Sequence, residues 1–326
     1  MITFWFSVVV LAWVLFFVLE GFDFGVGLLG PLIGRGDHER GAAVRTIGPF
    51  WDGNEVWLVA AIGATFAAFP GWYAALLSGL YLPVAGLLLL LAVRGVALEF
   101  RGKGDGVRWR RRADLALAVS SAGIVMIWGA LLAVFVRGLA LDPDGSVIGG
   151  GLTRTLSPVA SWTAALGAVA ALFAAALLGA TFLSLRTTGP VRRRARALAR
   201  GLGIGGSVVL LVAGIALTSK VVLAAAVVTF AVATLARMGR EGWAFGATAL
   251  GVAGAVVAVF TANGSVVLPS TLDPAWSLTM TGAAATPSAL RLLTGVGLVV
   301  LPGVVAYQVF SYWIFRRRVA SERVPS

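Results

Sequence analysis

The stretch Glu20-Gly21-Phe22-Asp23 places two carboxylates inside an apolar run that covers residues 4–33. A run of that length crosses a bilayer as one helix, because about 20 residues span the hydrocarbon core. A charge near the bilayer centre costs about 2.5–3.5 kcal/mol even on lenient insertion scales, so such side chains usually pair or line a polar path. The stretch therefore predicts a membrane helix whose acids serve a function.

The whole chain has the composition of a polytopic membrane protein. Hydrophobic residues make up 59% of its 326 residues, charged residues 12%, and the mean hydropathy is +0.93. Cysteine is absent, which excludes disulfides and thiolate metal sites. The net charge of +12 would suggest a nucleic-acid partner in a soluble protein. Here the basic residues cluster on one side of the predicted membrane, so no nucleic acid is expected.

Nine apolar segments are long enough to cross a membrane. They are residues 4–33, 50–69, 73–100, 113–137, 158–186, 201–218, 221–236, 243–261 and 291–315. With nine spans and the N-terminus outside, most of the 26 Lys and Arg residues fall in cytoplasmic loops and the tail. The positive-inside rule therefore predicts an external N-terminus and a cytoplasmic C-terminus.

The predicted fold class is an all-α polytopic membrane protein with nine transmembrane helices. We expect two four-helix bundles plus one additional helix. The N-terminal bundle, with the polar residues, covers residues 1–141. A linker loop and the fifth helix cover residues 142–200, and the C-terminal bundle covers residues 201–326.

Two glycine patterns match the dinucleotide-binding fingerprint literally, at Gly25–Gly30 and Gly201–Gly206. Neither follows a predicted strand, and the fingerprint requires a strand, a turn and a helix. In membrane helices, small residues let two backbones approach closely. The patterns therefore predict helix packing and no nucleotide site.

Histidine and methionine are too scarce for a haem site in this chain. Haem iron takes an axial His, Met, Cys or Tyr ligand. The chain has one histidine, His38, in a predicted loop, and four methionines. No plausible pair of ligands lies at membrane depth, so we expect neither haem nor another metal to bind this chain alone.

Seven ionisable residues lie within or at the cytoplasmic edge of the first four helices: Glu20, Asp23, Asp52, Glu55, Arg94, Glu99 and Asp114. Two pairs of acids are three residues apart and so share a helix face. The segment that contains Asp52 and Glu55 also carries Trp51 and Asn54, and such closely spaced polar groups can hold a chain of water. Buried carboxylates of this kind relay protons. The alternative is that Asp52, Glu99 and Asp114 are interfacial residues at helix ends and that Arg94 extends toward water.

Several motifs resemble subunit II of the cytochrome bd-type quinol oxidases. The resemblance is carried first by Glu20–Gly27 and Trp51–Leu58. Further matches are Phe66–Pro70, Arg94, Pro269–Leu272 and Ser277–Met280. The resemblance covers residues 1 to about 318.

The resemblance implies a haem-free subunit of a respiratory complex in the bacterial cytoplasmic membrane, where quinol reduces dioxygen. It implies a heterodimer with a haem-bearing subunit I, which this chain stabilises, and a proton path from the cytoplasm. Asp52 ranks first in that path, then Asp23, Glu20 and Arg94. The resemblance also allows a structural quinone, small single-helix accessory subunits and bound lipid.

Two other functions compete with this interpretation. A proton-coupled secondary transporter would usually carry broken helices at matching places in two repeats. The prolines Pro83 and Pro302 interrupt spans three and nine, which are not equivalent, and the polar residues occupy only one half. The second alternative is a structural scaffold in which the acids merely pair with arginines.

Overall fold

The computed structural model describes residues 1–104 and 106–321 of the chain, and the predicted tail acid Glu322 lies outside them. Thirteen α-helices account for most of this part: α1 (Ile2–Ile33), α2 (Asp37–Ile47), α3 (Trp51–Ala68), α4 (Pro70–Gly79), α5 (Tyr81–Phe100), α6 (Val107–Arg137), α7 (Gly151–Leu156), α8 (Trp162–Arg186), α9 (Gly189–Ala216), α10 (Lys220–Arg237), α11 (Glu241–Thr261), α12 (Met280–Ala283) and α13 (Pro287–Ile314). Two short antiparallel strands, β1 (Val266–Leu268) and β2 (Leu278–Thr279), lie between α11 and α12.

Eight helices in the described part are long and apolar enough to cross a membrane, and the bent pair α3–α4 raises the count to nine. The all-α membrane class is therefore confirmed. The short break predicted between the sixth and seventh spans is also present. Helix α9 ends at Ala216, and the Ser219 hydroxyl begins α10 by accepting from the Val222 N–H.

The predicted second span, residues 50–69, agrees with α3 within one residue at each end, whereas the third, residues 73–100, is divided between α4 and α5. Helices α3 and α4 meet at an angle of 119°. Phe69 at the bend has non-helical φ and ψ of −135° and 64°, because the following Pro70 disfavours helical geometry at that position. Residues 73–79 thus belong to α4. Pro83 lies in the first turn of α5 and does not interrupt a helix.

Helix α1 occupies the centre of the fold and packs against α3, α6, α8 and α11. Its contact with α8 depends on glycine. A β-carbon on Gly25 would lie 2.7 Å from the backbone nitrogen of Gly179. Gly203 on α9 faces the backbone of Thr229 on α10 in the same way. The glycine patterns therefore serve helix packing, as predicted.

The basic segments meet at one end of the helices, which we call the basic end. Several ion pairs join them, among them Arg101–Asp37 at 3.0 Å, Arg194–Glu39 at 2.8 Å, Arg192–Glu241 at 2.7 Å and Arg318–Glu241 at 3.8 Å. Glu241 was predicted in a loop, but it is the first residue of α11 and is buried. The clustering predicted from the arginine distribution is thus present.

Glu39 on the short helix α2 holds the basic end together through Arg194. Although partial burial acts to raise the pKa of Glu39, hydrogen bonds from the Arg35 N–H and the Arg194 guanidinium lower it below its ordinary value of 4.5. The stability that this pair contributes is therefore fully present above pH 4.5, the ordinary pKa. It is lost as the pH falls through the lowered pKa of Glu39 in the folded protein. We expect the unfolding midpoint of Glu39→Gln to decrease less at acidic pH than the unfolding midpoint of the wild type does. An equal decrease of the unfolding midpoint at acidic pH in the variant and the wild type would contradict this assignment.

Helix α13 is fastened near the basic end by the segment that follows it. The Arg186 guanidinium donates to the Phe315 carbonyl, and Thr187 pairs with Val319 in a parallel bridge. The buried Ser321 hydroxyl donates to the Thr188 carbonyl. Within the chain α13 packs against α3, while α8 contacts α6, α9 and α11. The division into two four-helix bundles stays a prediction.

Candidate functional site

A buried ion pair joins α1 to α5 in the interior of the first half. Arg94 Nη1 lies 2.5 Å from Glu20 Oε1, and both side chains are 0% exposed. The Arg94 guanidinium also lies 4.7 Å from the centre of the Phe24 ring. Removing one partner of such a pair is costly, because it leaves an uncompensated buried charge. The alternative interpretation, in which Arg94 extends toward water, is therefore wrong for the described structure.

Asp23, one turn from Glu20 on α1, is equally buried and is bound by α3. The Asn54 amide nitrogen donates to Asp23 Oδ2 at 2.7 Å and to the Leu19 carbonyl at 3.4 Å. We call Glu20, Asp23, Asn54 and Arg94 the buried cluster. Three helices distant in sequence thus supply two acids, an amide and a guanidinium to one place.

The buried cluster also receives two donors from α13. Gln308 Nε2 and the Tyr312 hydroxyl each lie 2.8 Å from Asn54 Oδ1. Neither residue was predicted from the sequence, because both are uncharged and lie in the half of the chain that has no acids within its predicted spans. Helix α13 nevertheless contributes to the cluster. The spacing of four residues between two polar side chains in an apolar helix was the available signal.

Four polar atoms of the buried cluster have no hydrogen-bond partner within residues 1–104 and 106–321. They are Glu20 Oε2, Asp23 Oδ1, Arg94 Nε and Arg94 Nη2. Buried polar groups are almost always satisfied, and those without a protein partner typically bind ordered water. The arrangement is therefore suited to hold water beside two carboxylates.

The acids of α3 lie outside the buried cluster. Asp52, ranked first from the sequence, is exposed in the first turn of the helix, and Glu55 is half-buried. Trp51 packs beside Gly95, the neighbour of Arg94. Burial increases from Asp52 through Glu55 to the two acids on α1. This gradient orders the predicted residues from the surface inward.

Asp114 and Glu99 make ion pairs at the basic end, as the alternative interpretation proposed for them. Asp114 is buried, with Oδ1 lying 2.6 Å from Arg101 Nε and Oδ2 lying 3.5 Å from Arg40 Nη1. Although partial burial acts to lower the pKa of Arg101, the Asp114 carboxylate raises it above its usual value. Glu99 forms an exposed pair with Lys103 at 2.5 Å. Neither acid contacts the buried cluster directly through a hydrogen bond in the described residues.

Comparison with known proteins decides the family. Residues 1–315 match the family described as cytochrome bd terminal oxidase subunit II. The chain belongs to this family. As a subunit II of this family, it is a component of an oxidase rather than a transporter.

The sequences of individual relatives align with nearly the whole chain. It is 35% identical to the cytochrome bd ubiquinol oxidase subunit 2 of Bacillus subtilis, over 97% of this chain and 96% of that protein. It is 29% identical to the cytochrome bd-I ubiquinol oxidase subunit 2 of Escherichia coli K12, over 95% of this chain and 92% of that protein. A chain of the bd oxidase from Geobacillus thermodenitrificans has the same fold, with a TM-score of 0.73 and 19% identity over 96% of this chain and 98% of that chain.

Proposed function

We propose that this subunit II is haem-free, stabilises a haem-bearing subunit I and supplies a proton-uptake path from the cytoplasm for quinol-driven reduction of dioxygen. The observation that carries the proton path is the buried cluster, with two carboxylates, one arginine and four buried polar atoms that have no hydrogen-bond partner in the described residues. Ionisable side chains inside a membrane are costly, usually pair with one another and mark functional sites.

Charge counting supports one mobile proton in the buried cluster. Two ionised carboxylates beside Arg94 leave one uncompensated negative charge, and a single proton shared by Glu20 and Asp23 makes the group neutral. A neutral group is favoured where burial removes bulk water. The proton can reside on either acid, while Arg94 compensates the other. The cluster therefore accepts and passes on one proton at a time.

The position of the cluster supports uptake from the basic end. Helix α1 rises about 1.5 Å per residue, so Glu20 lies roughly 20 Å along the helix from Ile33 at that end. On α3, the exposed Asp52 and the half-buried Glu55 flank Asn54, which contacts Asp23, so they supply acids on the exposed side of the cluster. If the basic end faces the cytoplasm, as the positive-inside rule predicts, the path opens there.

The residues present do not fit a haem in this chain. His38 lies on the short helix α2 near the basic end, and Met126 and Met238 are exposed. Within the described residues these side chains offer no enclosed pair of axial ligands, so the proposal assigns the haems of the complex to subunit I. The structural quinone, the accessory subunits and bound lipid stay predictions.

Asp52→Asn tests the uptake path. We expect oxygen consumption driven by quinol, and the coupled charge movement in proteoliposomes, to fall several-fold, because general acid–base groups contribute about 10²-fold or more when they carry the proton. Glu99→Gln is the matched control, since it neutralises another exposed acid, whose ion-pair partner in the described residues is Lys103. Wild-type rates in Asp52→Asn would remove this residue from the path and favour the scaffold interpretation.

The subunit assignment is tested separately by purification. A tagged chain is expected to bring down a partner with haem absorption. Purification of the chain alone, from membranes that contain oxidase activity, would contradict the assignment.

A further inference from the structure

The two donors on α13 converge on one acceptor. Gln308 and Tyr312 are four residues apart, so both side chains lie on the same face of the helix. The Tyr312 ring stacks on Phe50, with ring centres 4.6 Å apart. This stacking holds the hydroxyl toward Asn54 Oδ1, at 2.8 Å. The polar face of α13 is therefore directed at one amide.

The orientation of the Asn54 amide is indicated by a neighbouring group that can accept a hydrogen bond but cannot donate one. The Leu19 backbone carbonyl can only accept a hydrogen bond, and it lies 3.4 Å from Asn54 Nδ2. Asp23 Oδ2 lies on the same side, at 2.7 Å. The amide N–H groups thus face α1, and the amide oxygen faces the two donors of α13.

This orientation makes the two oxygens of Asp23 unequal. Oδ2 accepts from Asn54, whereas Oδ1 is buried and has no partner in the described part of the chain. Oδ1 is then the oxygen that can take up and release a proton. A reversed Asn54 would instead present its own oxygen to Asp23. It would accept from a protonated carboxyl group and hold the proton in place.

We propose that Gln308 and Tyr312 are positioning residues that keep Asn54 donating to Asp23, so that Asp23 Oδ1 exchanges the proton. The inference rests on the proposed proton path. Without the two donors, only the long 3.4 Å contact with the Leu19 carbonyl opposes reversal of the amide, and the reversed orientation traps the proton. Helix α13 therefore controls the cluster without carrying a proton itself.

The test compares the double variant Gln308→Met/Tyr312→Phe with the wild type in the purified oxidase. We expect proton uptake after oxygen addition to slow about fivefold to tenfold, as for the loss of two hydrogen bonds. We also expect a shift of the infrared carboxyl band of Asp23, identified by its loss in Asp23→Asn. Tyr307→Phe is the matched control, because it removes the same hydroxyl from an exposed position on the same helix.

The outcomes separate this inference from the proton path itself. In one outcome, proton uptake is slow in Asp23→Asn, but the double variant has wild-type uptake and an unshifted infrared band. That outcome would overturn the role of α13 and leave the proton path in place. Wild-type uptake in Asp23→Asn would overturn the path and this inference with it. If the double variant does not assemble, Tyr312→Phe decides the matter through the infrared band, since it removes one oxygen atom and keeps the ring.

Discussion

Asp23→Asn in the assembled oxidase is expected to slow quinol-driven oxygen consumption about tenfold or more, because proton transfer through a positioned acid contributes about 10²–10⁴-fold. The substitution is nearly isosteric, and it leaves one carboxylate, Glu20, to compensate Arg94. The buried cluster is then neutral without a mobile proton. We therefore expect the fold and the haem spectrum of the complex to persist while turnover falls.

Steady-state oxygen consumption at saturating quinol measures this effect, with Glu99→Gln as the matched control. Glu99 is an acid on α5, five residues from Arg94, and its exposed pair with Lys103 lies outside the buried cluster. Loss of activity in both variants would point to a general effect of charge near the basic end. Full activity in Asp23→Asn would show that the buried cluster does not carry the limiting proton.

Gly25→Ala is expected to have the largest effect on the amount of folded subunit. The new β-carbon would overlap the Ala175 carbonyl oxygen and the backbone of Gly179 on α8, which cannot move aside as a flexible side chain does. Overpacking against side chains typically costs about 1–3 kcal/mol, and the cost is greater against backbone. We expect α1 and α8 to separate, with loss of the subunit from membranes.

Gly30→Ala is the control, because it makes the same change on the same helix. A β-carbon on Gly30 would meet no described atom within 4 Å. Alanine also favours the helix by about 1 kcal/mol over glycine, so this variant should accumulate at least as well as the wild type. Immunoblots of membranes and the unfolding midpoint in detergent check both variants. Equal accumulation of Gly25→Ala and Gly30→Ala would contradict the packing.

The spans could be predicted from the sequence because the bilayer imposes a simple rule on length and polarity. The rule placed a boundary between the second and third spans near Phe69-Pro70, but it could not predict that α4 forms a separate helix bent by 119° from α3. The short helix α2 was also missed. Its residues Asp37–Ile47 are largely polar, and their helix is held by ion pairs to distant arginines such as Arg194.

The buried cluster was predicted in part. Glu20, Asp23 and Arg94 stand out because charge is rare in apolar helices, and a spacing of three fixes the shared face of the two acids. The sequence ranking placed Asp52 first, whereas the structure places it at the exposed start of α3. Gln308 and Tyr312 are more than 250 residues from Asn54 along the chain. Their spacing of four residues indicates a shared helix face, but only tertiary packing decides that this face contacts Asn54.

The most direct test of the proton path is time-resolved charge movement. Reduced oxidase in proteoliposomes is mixed with oxygen, and the voltage that protons generate as they enter from the side of the basic end is recorded for the wild type and Asp23→Asn. The account predicts that the haems of the complex oxidise while the voltage phase of proton uptake is slowed about tenfold or more in the variant. A voltage phase with wild-type rate and amplitude in Asp23→Asn would contradict it.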